Sequence, residues 1–140
     1  MGHYAEAEDY YGQANAIQRE YGDKGGVAFT DVNLGLMAFF NGNNEKAVRL
    51  AEEALQIGGD IKFDTARGFA MVLLGFIANT SEEFTRARDL LVEGKRLITN
   101  VDVTFAANLG LSMTYCFLGD YKEAKEAHRL ACEFLSLIHI

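Results

Sequence analysis

Few residues in this 140-residue chain have side chains suited to chemistry. The histidines are His3, His128 and His139, the cysteines Cys116 and Cys132, and the adjacent carboxylates Glu52-Glu53 and Glu82-Glu83. Neighbouring carboxylates on a helix splay around its axis and do not converge on one substrate atom, so neither pair is arranged for acid–base work. His3 stands near the chain start, His139 belongs to the tail discussed below, and His128 takes a position where a packed aromatic is expected. Both cysteines lie inside apolar helical patterns without a CxxC or a second pair to form a zinc or redox site, which casts them as small buried hydrophobes. No Walker sequence, GxGxxG, GxSxG or HExxH occurs. Arg86, Arg88, Lys95 and Arg96 interleave with Asp89 and Glu93, the pattern of a solvated, salt-laced surface. The chain therefore reads as a non-enzyme, with no catalytic residue, cofactor or metal ligand.

Composition narrows the partners. Hydrophobic residues make up 49% and charged ones 24%, enough for one domain with a core of its own. A formal charge of −7 sets a repulsive field against every phosphate, so direct nucleic-acid binding is not expected. No run of apolar residues is long enough for a membrane span and the first residues lack the regions of a signal peptide, so the expected location is cytoplasmic.

The elements that must position these residues are helices. Proline is absent, and apolar residues recur at three and four along nearly the whole chain. The pattern predicts seven helices, at about 3 to 21, 26 to 41, 44 to 57, 62 to 79, 82 to 98, 102 to 118 and 121 to 137. Gly22, Gly25-Gly26, Gly42-Asn43-Asn44 and Gly58-Gly59-Asp60 supply the punctuation, and Thr80-x-x-Glu83 and Asp120-x-x-Glu123 have the form of capping boxes. Segments 26 to 41, 66 to 79 and 103 to 118 carry almost no charge apart from Asp31 and Arg67, while the helices between them are amphipathic. A helix apolar all round must be covered on several sides, so nearly uncharged inner helices are expected to alternate with amphipathic outer ones.

The outer helices repeat. Tyr4-x-x-Ala7-x-x-x-Tyr11-x-x-Ala14 aligns with Asn44, Ala47, Ala51 and Ala54, with Phe84, Ala87, Leu91 and Gly94, and with Tyr121, Ala124, His128 and Ala131. Ala7, Ala47, Ala87 and Ala124 stand 40, 40 and 37 residues apart. On the inner helices Leu34-Gly35-x-x-Ala38, Leu74-Gly75-x-x-Ala78 and Leu111-Ser112-x-x-Tyr115 each begin 13 residues before the aligned alanine. Small side chains at Gly35, Gly75 and Ser112 and at Ala47, Ala87 and Ala124 would let paired helices approach closely.

This pattern resembles the tetratricopeptide repeat, L-G-x-x-Y on one helix and A-x-x-x-F-x-x-A on the next, over nearly the entire chain. The tryptophan slot of that family holds Asp31, Met71 and Asn108, no proline ends a unit, and two units are six residues longer than the usual length. That length is similar to the variant in sensor regions of bacterial transcription activators of the MalT type and in some animal cargo and polarity adaptors. HEAT-like repeats share the length but fit the pattern less well. The resemblance implies an all-α, right-handed α–α superhelix of antiparallel hairpins. Its divisions are an orphan outer helix at 1–22 and repeats at 26–58, 62–98 and 102–134. The last six residues, LSLIHI at 135–140, match a translation of the transposon end used in sequencing libraries and are expected to be non-native. The chain is expected to be a window from a longer protein.

By register, the family's concave groove falls on Phe29, Val32, Leu36, Phe39 and Phe40, then Phe69, Val72, Phe76 and Asn79, then Ala106, Leu109, Met113, Cys116 and Phe117. None is Lys or Arg, so the cationic clamp that some members use to hold a chaperone's terminal carboxylate is absent. The resemblance implies a protein-interaction module with an apolar groove for an amphipathic helix or peptide, the partner being another protein or another domain of the same chain. The alternative is the ligand-sensing arm of a multidomain bacterial regulator. The same residues also suit plain packing between inner helices.

Overall fold

A computed structural model describes residues 2–138, and within them the chain is all-α. Its helices are α1 (Gly2–Glu20), α2 (Lys24–Phe40), α3 (Asn44–Asp60), α4 (Asp64–Thr80), α5 (Phe84–Leu97), α6 (Val101–Leu118) and α7 (Tyr121–Ile138). Residues 135–138 continue α7, while His139 and Ile140 lie outside the described residues.

The connections explain the regular spacing. Gly22, Gly42, Lys62 and Glu82, one every 20 residues, adopt left-handed backbone with φ of 72°, 77°, 56° and 61°. In each case the next N–H closes a six-residue turn onto the helix just ended: Asp23 to Gln18 O, Asn43 to Ala38 O, Phe63 to Gly58 O and Glu83 to Ala78 O, at 2.7–2.9 Å. Gly119 (φ 81°) with Asp120 N to Tyr115 O repeats the geometry. The first two turns also carry side-chain caps, Asp23 accepting from Gly26 N and Asn43 from Lys46 N. The junction between α5 and α6 differs. Ile98 is extended, α5 has 14 residues where α3 and α4 have 17, and the Asn100 side chain caps α6 by accepting from Asp102 N at 2.9 Å. Those missing residues are why the last repeat is 37 long.

Three sequence expectations need correction. Gly58-Gly59-Asp60 does not end the third helix, since α3 runs through Asp60. Gly58 is buried where α3 crosses α4, and a Cβ there would lie 3.3 Å from both Arg67 N and Phe63 O, so its small size serves close packing. Thr80 does not cap α5 either. It is the last residue of α4, its hydroxyl donating to Ile77 O at 2.7 Å, and α5 starts after Glu83 without a side-chain cap. Asp120 does stand at the start of α7, its carbonyl accepting from Ala124 N. Gly25, expected before a second helix starting at 26, lies in the first turn of α2, which begins at Lys24.

Each helix packs on the next, and α2 also packs on α4 and α4 on α6, whereas the outer helices α1 and α3 meet only through side-chain ion pairs, Arg19 with Glu53 and Lys46 with Glu8. The result is a single-file solenoid of hairpins with two layers, in which the layer with touching helices lies on the inside of the curve. The core is correspondingly a succession of patches. Ala28, Val32, Ala54, Ala66 and Ala70 form one, Ala38, Ala47, Ala51, Leu73, Leu74 and Ile77 the next, and Val72, Leu91, Ile98, Ala107, Leu111 and Ala127 the last. Small residues set the helix spacing. A Cβ on Gly35 would sit 3.0 Å from Leu73 and 3.4 Å from Ala47 O, and one on Gly75 would meet Leu91 at 2.6 Å and Ala87 O at 3.5 Å. Ala47, Ala87 and Ala124 are buried, Ala7 and Ser112 half-buried.

Candidate functional site

The inner layer presents one row of side chains to the concave side. On α2 it consists of Phe29, Leu36 and Phe40, which are 42%, 39% and 65% exposed. Helical spacing of seven and four residues keeps them on one stripe. At the same register α4 contributes Phe69 and Phe76, both half-buried, and α6 contributes the half-buried Ala106 with Met113 and Phe117, which are 41% and 65% exposed. Phe29 meets Phe69 with ring centroids 5.9 Å apart, linking α2 to α4. Phe117 stacks on Phe84 of α5 at 4.5 Å, which fixes its ring at the edge of the stripe.

Other residues predicted for the groove lie elsewhere. Val32 and Val72 are buried between successive hairpins, and Phe39 packs half-buried beside Phe40 against the middle core patch. Asn79 is buried too. Its amide donates to Gly110 O at 3.4 Å and its oxygen accepts from the buried Thr114 hydroxyl at 2.9 Å, which ties α4 to α6. Register alone merged two faces of the inner helix: one turned to the concavity, the other to the next hairpin. Leu109 and Cys116 share the register of Val32 and Phe39, but no further inner helix follows α6 among the described residues, so both are exposed. Cys132 is exposed for the same reason, and the expectation of buried cysteines fails at both positions. His128, expected to pack as an aromatic, is exposed with Nε2 3.4 Å from Cys132 Sγ. Among the described residues no cluster of three or more His, Cys, Asp or Glu is placed to hold a metal ion.

The convex side holds grooves between successive outer helices, each with an inner helix as its floor. Between α1 and α3 the floor includes Asp31, fully buried. Arg19 donates to both its oxygens at 3.1 and 3.2 Å, Asn15 donates to Oδ1 at 2.8 Å, and Arg19 also pairs with Glu53 at 2.9 Å. Asn15 further donates to Thr30 Oγ1 at 2.7 Å. Burial, and next the Glu53 carboxylate, push the Asp31 carboxyl above its usual range, while Arg19 and Asn15 pull it back. Both oxygens accept bonds from α1, so this carboxylate docks α1 onto α2. An aspartate in the otherwise uncharged segment 26 to 41 was the sequence signal for this clasp. The middle groove is lined by Met71, and the one between α5 and α7 by Asn108. No described helix is long and apolar enough to cross a membrane.

No family model matches the chain, and no curated protein matches it. Among solved structures it is similar to the crystal structure of BtubC (BKLC) from P. vanneervenii, with a TM-score of 0.74 and 18% identity over 99% of this chain. The match takes in 59% of that protein, so the chain spans about three fifths of its length. At that identity the likeness establishes an all-α solenoid fold and leaves function to the surfaces described above.

Proposed function

We propose that this chain is a protein-interaction module of the tetratricopeptide type, whose concave stripe takes an amphipathic helix or an apolar-faced peptide from another protein or another domain. The observation that carries this reading is the uncovered row Phe29, Leu36, Phe40, Met113 and Phe117 along the concave side. Aromatic and methionine side chains exposed in a row are unusual on a surface with no partner and common at helix-in-groove contacts. The stripe carries no cation, so the preferred partner offers an apolar face and not a carboxylate.

Selection of displayed amphipathic helical peptides on the purified protein tests this, with binders mapped by NMR shift perturbation. Binders are expected to perturb α2, α4 and α6. Phe40→Asp is expected to weaken them about tenfold or more with helicity unchanged, the loss of a well-packed aromatic anchor. Selected peptides that map to the outer helices, or that ignore Phe40→Asp, refute the reading.

A further inference from the structure

The outer helices are not all held in the same way. α3 buries Ala47, Leu50, Ala51 and Ala54, α5 buries Ala87 and Leu91, and α7 buries Ala124, Ala127 and Ala131. Among the described residues of α1 only Asn15 is buried, and no α1 residue belongs to a core patch. Ala7, Tyr11 and Ala14, which stand where the other outer helices bury their small residues, are half-buried. What holds α1 is polar. Asn15 and Arg19 bond Asp31, the Asn15 and Gln18 side chains meet the Thr30 hydroxyl at 2.7 and 2.9 Å, and Arg19 with Glu53 and Lys46 with Glu8 pair across to α3 at 2.9 and 2.8 Å.

A bond formed on docking replaces bonds to water, so a polar attachment returns less free energy than burial of apolar surface does. Elements with few buried apolar contacts are the ones that open without unfolding the rest of a chain. The joint permits such a motion. Of the five residues at 22–26, Gly22, Gly25 and Gly26 are glycine, and Gly22 already has a φ of 72°. Glycines absorb the backbone rotations of a hinge at little steric cost. A helix of 19 residues is marginal in water by itself, so an undocked α1 also gives up its helical amide bonds. We infer that α1 is a polar latch: it opens as a unit about the joint at 22–26 while α2 to α7 stay folded, and its opening bares Thr30, Asp31 and Glu53. The inference rests on the contacts of α1 and does not depend on the reading proposed for the concave stripe.

Amide hydrogen exchange of the full chain, read residue by residue by NMR in the regime where the rate reports the opening equilibrium, tests this. The amides from Tyr11 to Glu20 are expected to share one protection factor, about 100-fold below those of α4. Ile77→Val removes one methylene from the middle core patch and is expected to lower the protection of α4 and α5 about fivefold while leaving that of α1 unchanged, because the open state keeps this patch intact. Arg19→Met is expected to lower the protection of α1 about 30-fold, with circular dichroism showing the other helices still folded. Protection of α1 equal to that of α4, or a fall in α1 that tracks Ile77→Val, overturns the proposal, since α1 would then open only when the whole chain unfolds. So does an α1 whose protection Arg19→Met leaves unaltered, since the polar clasp would then not be what keeps it closed.

Discussion

Asp31 and Asn108 occupy one register position in the first and last hairpins, and they meet opposite fates. Around Asp31 the preceding outer helix brings an amide and a guanidinium into the floor of the groove, and each carboxylate oxygen finds a donor. Around Asn108 the preceding helix brings Lys95, three residues of that helix are missing before the junction, and Oδ1 stays without a partner. A solenoid stacks similar units, so the contrast isolates one variable: what the neighbouring outer helix offers. The same slot becomes a clasp where donors arrive and holds an unpaired buried acceptor where they do not.

Removing the cation at the first site is expected to have the largest effect. Arg19→Met leaves Asp31 buried with only the Asn15 amide, and an unpaired buried charge is costly. Because the Arg19 side chain is 45% exposed, part of its contribution is screened, and a loss of about 2 kcal/mol in urea unfolding at pH 7 is expected. The pH dependence follows from direction. Asp31 has a raised folded pKa, so the folded state holds its proton more tightly than the unfolded chain does; its contribution is greatest below the ordinary value of 3.8 and declines as pH rises through the folded value. Without Arg19 that folded value climbs further, so the penalty of the variant should shrink as pH falls from neutral toward the ordinary carboxylate value of 3.8. A penalty independent of pH would mean that Asp31 is not the group left exposed to the loss.

At the other site the sign reverses. Asn108→Leu trades an orphaned amide for an apolar side chain of similar size and is expected to raise stability by about 1 kcal/mol, read from the urea midpoint at constant m-value. A loss of stability would show that Asn108 is held by a bond absent from the described arrangement.

Much of this architecture was legible in the chain. The alanines at 40, 40 and 37 residues gave the hairpin period, and Gly22 and Gly42-Asn43 marked the first two turns, because glycine and a capping side chain are local signals that need no tertiary context. The third and fourth turns have the same geometry with Lys62-Phe63 and Glu82-Glu83, which carry neither signal. There the stacking of hairpins imposes the left-handed residue, and the conspicuous Gly58 and Thr80 misplaced both boundaries. The stripe on the concave side was half legible: the register of the resembled repeat pointed to Phe29, Leu36 and Met113, but the division between a residue facing the concavity and one facing the next hairpin, as at Val72 and Asn79, is a matter of superhelical geometry. Lys62→Gly follows from the same point. A lysine in left-handed backbone carries a strain that glycine lacks, partly offset by the greater freedom of glycine in the unfolded chain, so a gain of about 0.5 kcal/mol is expected in thermal or urea unfolding. Gly42→Ala, at the equivalent turn, should lose about twice that.

The finest test moves one part of the first groove into the last. Lys95 stands where Asn15 stands, and Asn15 spans the gap from an outer helix to its slot residue at 2.8 Å. If the partners available from the preceding helix decide the fate of the slot, Lys95→Asn should deliver an amide donor to Asn108 Oδ1 and raise stability by about 0.5 kcal/mol, near the low end for a net hydrogen bond. The gain should vanish when Asn108→Leu is already present, so a double-mutant cycle yields a coupling of that size. Should Lys95→Asn change nothing in either background, the shorter α5 and its extended junction have moved that position out of reach, and the contrast between the two slots would then rest on helix placement and not on side-chain supply.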